Sequence, residues 1–375
     1  MKYCIITSSY PANDRDSRNT GVFIKNFAET LAGFGQKVAV VTPEKSGEKE
    51  KSPKVSVYFF KTLGNTTELV SINPKNPFGF LKLLSVMVGG IFATLKKVSS
   101  FQPNLILACW IVPSGIFALA AYKILKIPYT VWALGSDVWK VKKYPFGEKV
   151  FRFVLKNSQQ IYANSQTIKE RLRSYTDREI IILRSTRALD QNTKGAKVDR
   201  QKTNFLMISR FHVDKGPDIL LSAFDMLRKI KPDTYLYLFG GGPLEKVLKQ
   251  QIQNLGLEKY VRLGNYLDAE GVASYLKACD CLVVPSRKES LPVVFSEAAQ
   301  LNCPTIVTDV GDLGLLAHKY NTGLVAVPND ADDLKNVMLK FIEQKKGDNY
   351  QASEELKKEF DINNIVKKFL DVSNS

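Results

Sequence analysis

Short apolar runs rich in β-branched residues alternate along this chain with longer stretches of helical periodicity. In the first half, residues 3–8, 37–42, 55–60, 105–110, 129–133, 161–164 and 180–183 read as strands. Between them, helices are predicted from Gly21 to about residue 34, over 78–98, after Pro113-Ser114-Gly115, over 151–157 and around Glu170. Thr167-x-x-Glu170 matches a capping box, with Ser165 as the other candidate cap. The second half repeats the alternation. Strands fall at 205–209, 235–239, 261–264, 281–284, 304–308 and 322–328, with helices from Pro217, over 269–278 and 293–301, and from Asp330 and Asn349. Continuous apolar runs fit parallel strands covered on both faces. The pattern predicts an α/β protein of two doubly wound, parallel-sheet, Rossmann-like domains. Residues 186–203 lack apolar periodicity and read as a linker, leaving domains at 1–185 and 204–360.

A length of 375 residues suits two domains, and 45% hydrophobic with 24% charged residues suits a globular protein. The five cysteines (4, 109, 279, 281 and 303) fall mostly in strands and read as buried thiols of a reducing compartment. Cys279 and Cys281 stand too close together for zinc-knuckle spacing, and only His212 and His318 could assist, so no metal site is expected. The N-terminal apolar run is too short for a signal peptide. Residues 80–95, the most apolar segment, fall short of the roughly 20 residues of a bilayer span and read as a core helix. A cytoplasmic protein is expected.

Charge changes the picture more. The net +16 is concentrated in residues 1–190, where 28 Lys+Arg against 13 Asp+Glu give +15; residues 191–375 have 25 against 24, or +1. An anionic partner for the first half is implied, such as a membrane surface or a phosphorylated acceptor. No nucleic-acid-binding module is present, and no nucleic-acid partner is expected.

The candidate chemistry sits in the loops after the second-half strands. The run 281–284 is halted by Pro285, a polar turn carries Glu289, and Ser290-Leu291-Pro292 leads into a helix that carries Glu297. Open α/β sheets bind ligands at this carboxyl edge, where helix N-terminal amides favour anions. Arg210 and Lys215-Gly216 flank the turn after residues 205–209, two cations ahead of a helix. Gly240-Gly241-Gly242 follows the next strand, where glycine allows close backbone approach. The aspartate pairs Asp14/Asp16 and Asp330/Asp332 mimic a metal-binding pattern, but read as loop or cap carboxylates.

The Glu289-x7-Glu297 spacing, with Arg210-x4-Lys215-Gly216 upstream, resembles the retaining glycosyltransferases of the GT-B fold, family 4 (glycosyl transferases group 1). The resemblance implies two domains facing a cleft, with residues 361–375 crossing back to the first. It implies transfer of a hexosyl unit from a nucleotide-diphosphate sugar to a glycan, lipid or lipid-linked acceptor, with no cofactor and no metal. Arg210 and Lys215 would neutralise the diphosphate, Glu289 hold the donor sugar and Glu297 the ribose. Gly21, Gly241, Ser290, Leu291 and Val293 would complete the donor site, and Asp137 would lie at the cleft. The chain departs from the family where Leu107, Cys109 and Leu134 replace histidines, and where Arg184-Ser185-Thr186-Arg187 replaces a Pro-Asn-Gly turn. Those replacements leave an alternative: a non-catalytic, degenerate sugar-nucleotide or glycan-binding subunit.

Overall fold

The computed structural model describes residues 1–11, 21–44, 53–63, 76–143, 146–344 and 350–374. It divides into two compact units. The first holds β1 (Lys2–Ile6), α1 (Val22–Gly33), β2 (Lys37–Pro43), β3 (Val55–Phe60), α2 (Pro77–Phe101), β4 (Leu105–Cys109), α3 (Ser114–Leu125), β5 (Tyr129–Ala133), α4 (Ser136–Lys140), α5 (Gly147–Asn157), β6 (Ile161–Ala163), α6 (Gln166–Leu172) and β7 (Ile180–Ile182). Its strands form one parallel sheet in the order β3-β2-β1-β4-β5-β6-β7. The second unit holds β8 (Thr203–Arg210), α7 (Pro217–Ile230), β9 (Thr234–Gly241), α8 (Glu245–Asn254), β10 (Val261–Gly264), α9 (Ala269–Ala278), β11 (Cys281–Val284), α10 (Val293–Gln300), β12 (Thr305–Thr308), α11 (Leu313–Lys319), β13 (Gly323–Ala326), α12 (Ala331–Glu343) and α13 (Glu354–Glu359). Its parallel sheet runs β10-β9-β8-β11-β12-β13. The last helix, α14 (Ile362–Asn374), belongs to the first unit from Ile365 onward, where Phe369 packs on the rings of Tyr3, Phe27 and Tyr162.

Strand order reverses between β1 and β4 in one sheet and between β8 and β11 in the other. At such a switch point neighbouring loops diverge to opposite faces and leave a crevice at the carboxyl ends of the strands.

Two expectations change, and one open alternative is decided. Residues 186–203 belong to the second unit, because Thr186 and Arg187 are buried by polar bonds to α10, which periodicity does not register. The cap of α6 is Ser165, which accepts from the Ile168 amide at 3.1 Å; Thr167 lies inside the helix and the capping-box match is not used. The largest change is α2. It runs 25 residues with a mean hydropathy of 1.9 in its most apolar 18-residue window, enough by length and composition to cross a membrane, and only 22% of that window is buried. Gly79, Gly90, Ala93 and Thr94 are among the residues it buries, whereas Phe78, Phe80, Leu81, Leu84, Val88 and Phe92 are exposed. A Cβ on Gly90 would meet the Phe117 ring at 2.3 Å, so the helix lies tightly on α3 through its small residues. A core helix usually buries its large apolar residues; α2 buries Val86 and Val98 with its small residues but leaves six large apolar side chains exposed.

Candidate active site at the carboxyl edge of the second sheet

The loops after β8 and β11 meet at the switch point. After β8 the chain makes a short helical turn, Val213–Lys215, and Gly216 then adopts φ 66° ahead of Pro217, the first residue of α7. A Cβ on Gly216 would meet the Pro285 carbonyl oxygen at 2.0 Å, so only glycine permits this approach. The Asp214 carbonyl accepts from the amides of Arg287 (2.8 Å) and Lys288 (3.1 Å). Arg287 grips the Asp218 carboxylate with both terminal nitrogens, at 2.8 and 2.6 Å, and donates to Asn329 Oδ1 at 2.7 Å and the Val213 carbonyl at 2.8 Å. Burial alone would raise the Asp218 pKa, but the hydrogen bonds and charge of Arg287 outweigh it and hold the carboxyl below its ordinary value. The site is thus fastened from beneath by charged and backbone bonds.

On this frame the Lys215 ammonium forms an ion pair with Glu289 Oε2, and Glu289 Oε1 accepts from the Ser290 amide at 3.1 Å. The pair bridges the loops after β8 and β11. Gly311, at φ 61°, presses against the Glu289 and Ser290 carbonyls, and the Asp312 amide donates to Ser290 at 2.9 Å. The backbone carrying Glu289 is therefore held from both sides. Pro292 is the N-cap of α10, leaving Leu291 buried and Val293 at the first turn. Arg210 ends β8 opposite Gly241 in β9, and the Gly241 carbonyl is held by the Phe211 amide (2.9 Å) and Tyr266 hydroxyl (2.7 Å). Arg210, Lys215, Gly241, Glu289, Ser290, Leu291 and Val293 thus all occupy the carboxyl edge of one sheet.

Glu297 is placed differently. It is buried on α10 and its Oε1 accepts from Arg187 Nε at 2.6 Å, an ion pair whose side chains are 4% and 6% exposed. Sequence reasoning missed Arg187. The only signal was its place in the stretch that replaces the family's Pro-Asn-Gly turn.

Gly21 and Asp137 belong to the first unit. Gly21, at φ 83°, caps α1, and a Cβ there would meet the Ser9 carbonyl oxygen at 2.2 Å. Asp137 is buried at the start of α4, and its carboxylate accepts from the Ile111 amide at 2.7 Å and the Gly135 amide at 3.1 Å. It ties the loop after β4 to the loop after β5. Burial pushes its pKa up to about 6 against these bonds, which favour the charged form. In this structure the Asp137 carboxylate, expected at the cleft as a candidate catalytic group, is engaged by these two backbone amides. Leu107 and Cys109 are fully buried in β4. All five thiols are free and buried, and burial pushes Cys4 and Cys303 up to about 12. Asp330 caps α12 by accepting from Asp333, and Asp332 pairs with Lys335; Asp14 and Asp16 lie outside the described residues.

Two family models together match most of the chain: "Glycosyltransferase Family 4" over residues 20–183 and "Glycosyl transferases group 1" over 190–359. The chain belongs to the group 1, family 4 glycosyltransferases. An uncharacterized glycosyltransferase of Methanocaldococcus jannaschii is 30% identical over 241 residues, 64% of this chain and 65% of that protein. A Bacillus subtilis protein named as a teichuronic acid biosynthesis glycosyltransferase, TuaC, is 24% identical over 363 residues, 91% of this chain and 89% of the relative. Among solved structures, Anabaena HepE in complex with UDP-glucose superposes with a TM-score of 0.74 at 18% identity, over 100% of this chain and 99% of that one. The fold of this transferase is GT-B.

Proposed function

We propose that this glycosyltransferase moves a hexosyl unit from a nucleotide-diphosphate sugar, with retention at the anomeric carbon, to a glycan, lipid or lipid-linked acceptor. The observation that carries the reading is the Lys215–Glu289 pair, bridging the two loops at the switch point of the second sheet. An ion pair at a ligand-binding edge is a stored pair of contacts for a substrate that is anionic at one end and hydroxylated at the other. Donor binding separates it. Lys215, with Arg210, turns to the diphosphate, and Glu289 accepts from sugar hydroxyls. The amides at the start of α10 face the same anion. HepE, of the same fold, is described with UDP-glucose, which supports a nucleotide-sugar donor.

In the transfer, the bond from C1 to the β-phosphate oxygen breaks and its electron pair stays on the phosphate. The acceptor oxygen bonds to C1 on the same face, and its proton passes to the departing phosphate oxygen. That route uses no protein base, which accommodates Leu107, Cys109 and Leu134 in place of histidines. Arg210 and Lys215 neutralise the developing charge, a preorganised electrostatic role that needs no divalent ion. The test is donor consumption with mixed acceptors, using UDP- and GDP-hexoses. Turnover in the wild type that is lost in Glu289→Gln is expected; no turnover with any donor, despite tight nucleotide binding, would establish the degenerate binder instead.

We further infer that the enzyme works at the cytoplasmic face of a membrane, bound peripherally. The outward apolar face of α2 supports this, as does a second patch in the same unit where Phe146, Val150 and Phe153 are exposed beside Lys149, Arg152 and Lys156. Apolar patches rimmed by basic residues suit an anionic lipid surface.

A further inference from the structure

The stretch from Thr186 is fastened along α10. The Thr186 and Ser296 hydroxyls lie 3.1 Å apart, and Gln300 Nε2 donates to Thr186 Oγ1 at 3.0 Å and to the Arg187 carbonyl at 2.9 Å. Arg187 is delivered by this seam onto Glu297, and the contact it makes there is incomplete. Only Nε donates, and only Oε1 accepts, at 2.6 Å. Among the described residues, neither terminal guanidinium nitrogen of Arg187 has a hydrogen-bond partner, and neither has Glu297 Oε2. Both side chains are more than nine-tenths buried. A guanidinium carries five donors in a rigid fork suited to bidentate pairing, and the unused ones here, like Glu297 Oε2, are not among the fully enclosed unpaired atoms, so a ligand can reach them.

The unused groups match one kind of ligand. Each hydroxyl of a vicinal diol has a hydrogen to give and lone pairs to fill. A carboxylate can only accept and a guanidinium can only donate, so neither alone satisfies a diol and the two together do. Position agrees with this. Glu297 lies four residues into α10, roughly 6 Å along the helix axis from its first turn, where the diphosphate is placed, and that is the span from a diphosphate to its ribose. We propose that Arg187 is a ribose-binding residue of the donor site. Its terminal nitrogens donate to the hydroxyl oxygens, and Glu297 Oε2 accepts their protons. The proposal rests on the nucleotide-sugar reading above. It makes the arginine that replaces the turn the specificity determinant for ribose over deoxyribose.

The experiment compares binding of UDP with 2′-deoxy-UDP, and of GDP with 2′-deoxy-GDP, by calorimetry to wild type, Arg187→Met and Arg187→Lys. Arg187→Lys keeps a cation beside the buried carboxylate, so the variant folds even if Arg187→Met does not. Wild type is expected to favour the ribonucleotide by about tenfold, as loss of a charged hydrogen bond typically gives. In Arg187→Lys that ratio is expected to fall to about twofold, and the donor KM to rise more than kcat falls. A purely structural arginine would leave the ratio untouched, so a wild-type ratio in Arg187→Lys overturns the proposal. So does a wild type that binds the diphosphates without distinguishing the sugars. If the wild type binds neither diphosphate, the nucleotide-sugar reading itself fails and takes this inference with it.

Discussion

The carboxyl edges of the two sheets are built from opposite materials. In the second unit, the loops after β8 and β11 are charged and interlocked: Arg287 on Asp218, Lys215 on Glu289, and a glycine that lets one backbone touch the other. In the first, Leu107 and Cys109 are buried, and Asp137, the one buried carboxylate of these loops among the described residues, holds backbone amides. Basic residues of the first unit such as Lys149, Arg152 and Lys156 are exposed instead, beside the exposed Phe146, Val150 and Phe153. On the proposed function, the difference separates the two recognition tasks. A diphosphate demands fixed cations at one point, whereas a lipid or glycan surface demands area.

Removing the cations attacks the charged side of this contrast and has the largest expected effect. Arg210→Ala and Lys215→Ala should each lower kcat/KM by about a hundredfold to a thousandfold, roughly 3–4 kcal/mol of transition-state stabilisation, as loss of a preorganised charge does. Lys215→Ala also leaves Glu289 without its partner, so part of its loss should appear in donor KM. Steady-state kinetics over donor concentration read both. Variants indistinguishable from wild type would remove the two residues from the donor site.

The contrast also governs what the sequence revealed. Strands such as 129–133 and 281–284 were legible to the residue, because fully buried parallel strands are nearly unbroken apolar runs ended by turn residues. The cluster around Lys215 and Glu289 was legible because a short spacing places each residue just beyond a strand. Arg187 was not, since its partner is 110 positions away and only tertiary packing joins them. The face of α2 was also hidden. Its composition says apolar, but which residues turn inward depends on Phe117 filling the space over Gly90.

Asp137 offers a test of the less charged edge. Its pKa is raised from 3.8 to about 6, so between those values the folded protein holds a proton more tightly than the unfolded chain. The stability this contributes is full below the lower value, is lost as pH rises through the window, and is constant above about 6. The full swing corresponds to about 3 kcal/mol at 1.36 kcal/mol per unit. Asp137→Asn abolishes the titration, and its amide nitrogen faces a backbone N–H, so the variant starts less stable. Its deficit relative to wild type should shrink as pH rises from 4 to 6.5, measured by urea denaturation. A deficit that stays flat across this range would mean the carboxyl titrates normally.

The smallest expected effect, and the one that decides whether area matters, concerns α2. Phe92 is 69% exposed on a helix that buries its small residues, and a single aromatic entering the lipid boundary contributes about 1–2 kcal/mol. Basic residues near an anionic bilayer add about 1 kcal/mol each and are screened by salt. The wild type should therefore cosediment with liposomes more strongly as anionic lipid increases and less strongly as salt increases. Phe92→Ser should weaken binding about fivefold to tenfold at every salt concentration, because its contribution is apolar. Lys149→Glu, on the second patch, should weaken binding at low salt and converge on the wild type at high salt. If Phe92→Ser binds as the wild type does, the outward face of α2 serves something other than lipid. If binding ignores both lipid charge and salt, the acceptor is a soluble one, and the two edges differ for a reason unrelated to membranes.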